Sequence, residues 1–285
     1  MTSPDPDQSN ATPAQGRAPS NLVMRIMAAA VLAPLAITIA YAGGWLWALL
    51  VVAVSCGLYV EWLLIVNDTQ DRRAMLVGVI ALLIAGLAVV CGYASIALAA
   101  AVAGIAVVAL TSATQGAWNA TGLLYAAAAL LSAILVRFDP SSGFLALIFV
   151  LLVVWVTDIG GYFAGRGIGG PKLWPRVSPN KTWAGAVGGL VLSIAVAVVF
   201  AVLGFGKLTS SVMLASVLSV VSQLGDLFES AVKRRFGVKD SGRIIPGHGG
   251  LLDRLDGFVA AIIVAALIGI LRGGVDGVGR GFMVW

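Results

Sequence analysis

"GFLALIFVLLVVWVTDIGGYFAG", residues 143–165, contains no charge over its first fifteen positions and then an aspartate, Asp158. The run is long and continuous, not alternating, which predicts a helix and argues against a strand. Roughly 20 apolar residues cross the ~30 Å hydrocarbon core of a bilayer, so this stretch reads as a transmembrane span. Asp158 lies about seven residues inside the end of the run, some ~10 Å deep at 1.5 Å per residue. A carboxylate at that depth is costly unless it faces a polar cavity or a partner.

The rest of the chain extends the same reading. Of 285 residues, 60% are hydrophobic and only 11% charged, and mean hydropathy is +1.00, which excludes an ordinary soluble domain. Apolar runs fall near 22–42, 44–66, 74–93, 94–112, 118–136, 143–165, 183–205, 209–228 and 257–272. The expectation is an all-α, polytopic integral membrane protein with about nine transmembrane helices. Strands are not expected. Residues 1–21, dominated by Ser, Pro, Asp, Gln, Asn and Thr, are too polar to offset their ordering entropy and read as a disordered tail. Residues 22–136 form the N-terminal set of spans and 137–285 the C-terminal, catalytic set. Ala40-Tyr41-Ala42 resembles a signal-peptide cleavage site, but the preceding run is long for such a segment and follows a long polar leader; an uncleaved first helix is expected. Cys56 and Cys91 lie far apart inside apolar runs and suggest neither a disulfide nor a zinc site.

Nine spans put the connections alternately on two faces. Fourteen basic residues, counting Arg25, fall on the N-terminal face, against Arg137, Lys207, Arg272 and Arg280 on the other. The positive-inside rule makes the richer face, and the N-terminus, cytoplasmic. The net charge of +5 is thus concentrated where anionic headgroups and anionic solutes lie, and no nucleic-acid partner is expected. Most acids, including Glu61, Asp158, Asp226, Glu229, Asp240, Asp253 and Asp256, follow the same geography, with Asp139 and Asp276 as exceptions.

Two connections on that face carry the chemistry. The first, "DIGGYFAGRGIGGPKLWPRVSPNKTW" from Asp158 to Trp183, combines glycines with Arg166, Lys172, Arg176 and Lys181. Ser178 precedes a proline and so leaves the helical region; Asn180, Lys181 and Thr182 lead into an apolar helix, whose exposed N–H groups beside a lysine suit a phosphate. The second is "GDLFESAVKRRFGVKDSGRIIPGHGGLLDRLDG", Gly225 to Gly257. If the eighth helix continues past Asp226, then Asp226, Ser230 and Lys233 share one face. Asp253 and Asp256 share a face where the last helix begins, the end that favours acids. Carboxylates opposite a cluster of Lys and Arg suit a magnesium–phosphate complex, since Mg²⁺ takes one or two carboxylates plus phosphate oxygens. The bland alternative is a set of membrane-surface salt bridges. His248, among Gly242, Gly247, Gly249 and Gly250, reads as a structural or substrate hydrogen-bonding group in a loop of tight turns. "HGG" is also found in esterase oxyanion loops, but no Gly-x-Ser-x-Gly elbow accompanies it.

Ser230, Lys233-Arg234, Lys239-Asp240, Gly242, Pro246, His248-Gly249-Gly250, Asp253-Arg254 and Asp256 stand at the spacings of the phosphatidate cytidylyltransferase signature, so the C-terminal half of the chain resembles that family, also called CDP-diacylglycerol synthases. The first connection is similar to the family's other cytoplasmic segment, except that Ala184 stands where the family often has an acid, which therefore cannot be essential here. The resemblance implies that CTP and phosphatidate give CDP-diacylglycerol and pyrophosphate, with Mg²⁺ and a monovalent cation such as K⁺ assisting. It also implies a homodimer in a bacterial-type inner membrane, with a polar cavity open to cytoplasm and lipid. It makes Asp226 and Asp253 the metal ligands. Asp240 and Asp256 then orient or complete the metal shell, while Lys181, Lys233, Arg234 and Lys239 bind phosphates. Arg166, Lys172, Ser178, Asn180, Ser230, His248, Gly249, Gly250 and Arg254 are the further substrate-binding candidates. Three rivals are weaker. "DRLDGFVAA" approaches the CDP-alcohol phosphotransferase motif but has Ala261 where that motif needs Arg. A transporter would place acids on both faces and at mid-membrane depth. A lipid-binding scaffold would not need the carboxylates.

Overall fold

The structure, a computed structural model, describes residues 21–66, 71–242 and 249–285. Nine long helices follow one another: α1 (Asn21–Ala42), α2 (Gly44–Ile65), α3 (Arg72–Val90), α4 (Ala94–Thr111), α5 (Gly116–Phe138), α6 (Gly143–Gly167), α7 (Trp183–Val202), α8 (Leu208–Arg235) and α9 (Leu252–Gly273). Eight of them, α2 to α9, are long and apolar enough to cross a membrane; α1 adds a shorter apolar stretch, Ala33–Ala42, among the described residues. The all-α membrane architecture is therefore present. The expected tail lies outside the described residues, apart from Asn21, which opens α1.

The helices run up and down, and polar side chains tie the connections together at each end. At the end that carries the acids, Asp71 caps α3 by accepting from the N–H groups of Arg73 and Ala74, and it also accepts from Ala113 N–H just beyond α4. At the opposite end Arg137 donates to the last carbonyls of α1, on Ala40 and Tyr41. Asp139 there accepts from Arg280 N–H at 2.8 Å. Between these ends the core is built on α2 and α5. Trp62 and Tyr59 are fully buried, and each large polar-tipped ring finds a backbone acceptor, as buried Trp and Tyr require: Trp62 Nε1 donates to Trp118 O, Tyr59 to Ala74 O and Trp47 to Ala133 O.

Helices α6 and α7 pack by a different device. A side chain on Gly160 would meet Gly188 O and Gly189 Cα, and one on Gly189 would lie 2.6 Å from Thr157 O. The two backbones therefore touch along a glycine seam, the small-residue packing that lets helices associate where no hydrophobic drive separates protein from lipid.

Four features correct the sequence reading. The α6–α7 connection contains a small antiparallel hairpin, β1 (Lys172–Trp174) with β2 (Ser178–Thr182), pairing Lys172 with Thr182 and Trp174 with Ser178. No alternating pattern announces strands this short. Helix α8 continues to Arg235, past the apolar boundary at residue 228, and α9 begins at Leu252 rather than 257. Hydropathy misplaces both boundaries because a helix can continue through charged turns that lie beyond its apolar run. After α9 the chain does not simply end: a 3-10 turn (Val275–Gly277) and a short helix α10 (Val278–Met283) fold back. Phe282 is fully buried there, 6.1 Å from the ring of Phe149.

Candidate active site

A cavity of about 680 Å³ opens beside the β-hairpin. Helix α6 contributes Thr157, Asp158, Tyr162 and Arg166; the hairpin contributes Lys172, Asn180 and Lys181; α8 contributes Gln223 and Asp226. The glycines of the α6–α7 seam, Gly161, Gly165 and Gly185, line it too, so the close approach of those helices shapes its wall. Its deep side is neutral and polar. Thr157 Oγ1 donates to Ser219 Oγ at 3.0 Å, and Gln223 Nε2 reaches Ala186 O and Ser219 Oγ at 3.4 Å. Its mouth is charged. Lys181 from β2 forms an ion pair with Asp226 of α8, and Arg166 donates to the Tyr162 hydroxyl at 3.0 Å. Thr182 caps α7 by accepting from Gly185 N–H, so the first turn of α7 already has one side-chain partner. Asp158 therefore faces a polar chamber, the condition its depth requires.

A second cluster occupies the neighbouring α8–α9 boundary. Lys233 bridges Glu229 at 2.6 Å and Asp253 at 2.5 Å. The other oxygen of Asp253 accepts from Ser241 N–H at 3.0 Å and Gly250 N–H at 3.3 Å. Asp256 Oδ1 accepts from Gly257 N–H, and its backbone carbonyl packs against Gly225, one residue before Asp226. The α8 face is as the sequence suggests: Ser230 donates to Asp226 Oδ1 at 3.3 Å. Lys233, however, turns away from that pair to Glu229 on its own helix and Asp253 at the start of α9.

The predicted residues are thus sorted into three groups. Asp226, Lys181, Asn180, Lys172 and Arg166 meet in the cavity, with Ser230 hydrogen-bonded to Asp226. Lys233, Asp253, Gly249 and Gly250 gather at the start of α9, where a side chain on Gly249 would sit 3.6 Å from Asp253 Oδ2. Arg234, Lys239, Asp240 and Arg254 are exposed and do not line the cavity; Ser178 lies in β2, also off its wall. Asp256 is hydrogen-bonded at the α8–α9 crossing, and His248 lies outside the described residues.

The two acids expected to share a metal are held by different lysines, and among the described residues no three His, Cys, Asp or Glu side chains converge as a ready metal site. Asp226 nevertheless fits a Mg²⁺–phosphate complex, because it faces the cavity that also holds Asp158 and several cations. Asp253 already takes three donors on its two oxygens and shares Lys233 with Glu229, so a metal there would replace one of these partners.

Sequence reasoning assigned no role to Glu61. It is fully buried and accepts from Ser241 Oγ at 3.0 Å and from the N–H groups of Leu251 and Leu252, both at 2.8 Å. The signal was a lone charge inside the apolar run of α2, which by itself marks an interior polar contact. Tyr162, Thr157 and Gln223 were also missed; no spacing in the sequence distinguishes them.

These elements define a class: a polytopic membrane protein with a polar, cation-rich chamber at one end, walled by acids from separate helices. The chain belongs to the cytidylyltransferase family, which it matches over residues 23–271. It is 42% identical over 261 residues to a phosphatidate cytidylyltransferase of Brucella suis, covering 88% of this chain and 94% of that protein. Shorter matches relate it to phosphatidate cytidylyltransferases of Staphylococcus saprophyticus (50% identical over 133 residues, 46% of this chain and 50% of that one) and Haemophilus influenzae (44% over 130 residues, 44% and 45%).

Proposed function

We propose that the protein transfers a cytidylyl group from CTP to phosphatidate, releasing pyrophosphate and forming CDP-diacylglycerol for phospholipid synthesis. The observation that carries this reading is the cavity that sets Lys181, Lys172, Arg166 and Asn180 against Asp158 and Asp226. It combines the charges that a triphosphate and its counter-cation need in one space.

Phosphatidate carries a phosphate monoester, whose second pKa near 6 leaves it largely dianionic at neutral pH. Its oxygen is already a nucleophile and needs no protein base. It attacks the α-phosphorus of CTP, the α–β bridging P–O bond breaks, and the electron pair leaves with pyrophosphate. The obstacle is bringing a dianion up to a triphosphate. Lys181, Lys172 and Arg166 offset that repulsion and orient the phosphates, which is most of what phosphoryl-transfer catalysis demands. Asp226 and Asp253 would hold Mg²⁺, which when bound would neutralise charge on the reacting and departing phosphates. Lys181 can exchange Asp226 for a phosphate oxygen as the nucleotide enters. Thr157 and Gln223, neutral at the cavity's deep side, provide hydrogen bonds where a further charge would be costly.

The proposal places the cavity on the cytoplasmic side of a bacterial-type inner membrane, on the strength of the basic-residue asymmetry, and includes a homodimer, a monovalent cation such as K⁺, and no nucleic-acid partner. The test is direct. The purified protein in detergent, given labelled CTP, phosphatidate and Mg²⁺, should form a chloroform-soluble liponucleotide and release one pyrophosphate per product. Absence of lipid-borne label, with phosphatidate and metal present, overturns the reading.

A further inference from the structure

Glu61 is the only charged residue of α2 and makes no ion pair among the described residues. Its partners are instead N–H and O–H donors from a segment about 190 residues away. Oε1 accepts from Leu251 N–H, while Oε2 accepts from Leu252 N–H and from Ser241 Oγ. Leu251 supplies no side-chain cap to α9, so a carboxylate from another helix satisfies the orphan donors at its start and meets the positive end of its dipole. The space around this carboxylate is closed. A side chain on Gly250 would collide with Ser241 Oγ and lie 2.8 Å from Glu61 Oε2, and one on Gly242 would lie 2.7 Å from Oε1.

The contacts continue from there. Ser241 Oγ also lies 3.4 Å from Asp253 N, which donates to it, and Ser241 N–H donates to Asp253 Oδ2. Asp253 in turn holds Lys233. One buried carboxylate on α2 therefore fixes Ser241, Ser241 fixes the orientation of Asp253, and Asp253 fixes Lys233.

We propose that Glu61 is a positioning residue for cytidylyl transfer: it clamps both Ser241 and the start of α9, and so sets the direction in which Asp253 and Lys233 present their charges. This rests on the assignment of Asp253 to the reaction made above. Glu61 does not itself touch substrate. It is the part of the site supplied by the N-terminal helices, in which no signature residue falls.

Glu61→Gln is the informative substitution, since it keeps the shape but replaces one of two acceptor oxygens with a donor that faces donors. The full-length variant in detergent is expected to keep its elution volume. Its kcat should fall about tenfold or more with KM for CTP changed by less than about twofold, the pattern of a lost transition-state contribution. The Mg²⁺ concentration for half-maximal rate should rise several-fold, because Asp253, which would hold the metal, loses the contacts that orient it. Ser241→Ala should shift both quantities the same way, and the double variant should be no worse than Glu61→Gln alone, since the residues act in series. A lowered melting temperature with unchanged kcat and Mg²⁺ requirement in the folded fraction overturns the proposal, as does full additivity of the two substitutions. Should Glu61→Gln fail to accumulate, Ser241→Ala decides alone: an unchanged Mg²⁺ requirement refutes the chain of contacts. Failure of the functional assignment itself would show differently, as a wild-type protein that makes no liponucleotide.

Discussion

Lys181 and Lys233 divide the acids of the site between them, and their surroundings give them different jobs. Lys181 and Asp226 are each partly exposed, with side-chain exposures of 27% and 32%, so their pairing is loose enough to be exchanged for substrate. Asp226→Asn should therefore leave the fold intact while removing roughly 3 kcal/mol of transition-state stabilisation, about a hundredfold in kcat; turnover and a thermal melt on the same preparation check it. Lys233 is a structural cation first. Its side chain is 11% exposed, and the Glu229 it neutralises only 2%. Lys233→Met strands the buried Glu229 carboxylate and takes one donor from Asp253, and should cost about 3–5 kcal/mol, seen as a large drop in melting temperature as well as lost activity. The sequence made both lysines legible as phosphate binders, Lys181 from its place beside the start of α7 and Lys233 from the signature spacing. It did not reveal that one spends its charge on Glu229, because a side chain four residues earlier on the same helix competes for it only once burial removes water as an alternative.

Among the elements, the α6–α7 pair and the cap of α3 carry their own predictions. The seam at Gly160 and Gly189 has no room for a side chain, so Gly189→Leu should push the helices apart. Because the same helices wall the cavity, stability and activity should fall together, unlike Asp226→Asn, where they separate. Parallel melts and liponucleotide assays of the two variants distinguish these outcomes. In the α2–α3 connection, the N–H of Ala74, then those of Ala113 and Arg73, hold the Asp71 carboxyl below the usual carboxylate range. A depressed native pKa means the unfolded chain takes up the proton first. The stability from Asp71 is thus present above about pH 4 and lost as pH falls through the native value. Asp71→Ala should cost about 1 kcal/mol at neutral pH, a difference that shrinks in melts below about pH 4. An Asp three positions before an apolar run is a readable cap; its contact with Ala113, 42 residues on, is not.

For the molecule as a whole, the alternation of connections between two ends decides where the chemistry lies. In intact cells or sealed right-side-out vesicles, a single cysteine placed at Lys172, in a cysteine-free background, should resist an impermeant thiol reagent until the membrane is opened. One placed at Lys207 should react from outside. The reverse pattern would contradict the orientation. The sequence by itself determined the membrane class, the series of apolar helices and the end of the molecule at which acids and bases collect. Those properties follow from hydropathy and charge, which are local and additive along the chain. Only the tertiary structure decided that Asp226 faces Lys181 across a cavity while Asp253 turns to Lys233, that a hairpin narrows the α6–α7 connection, and that Glu61 reaches the start of α9. Those are choices among several donors and acceptors of similar strength, and they are settled by which helices touch and which groups lose their water, a matter on which the order of residues is silent.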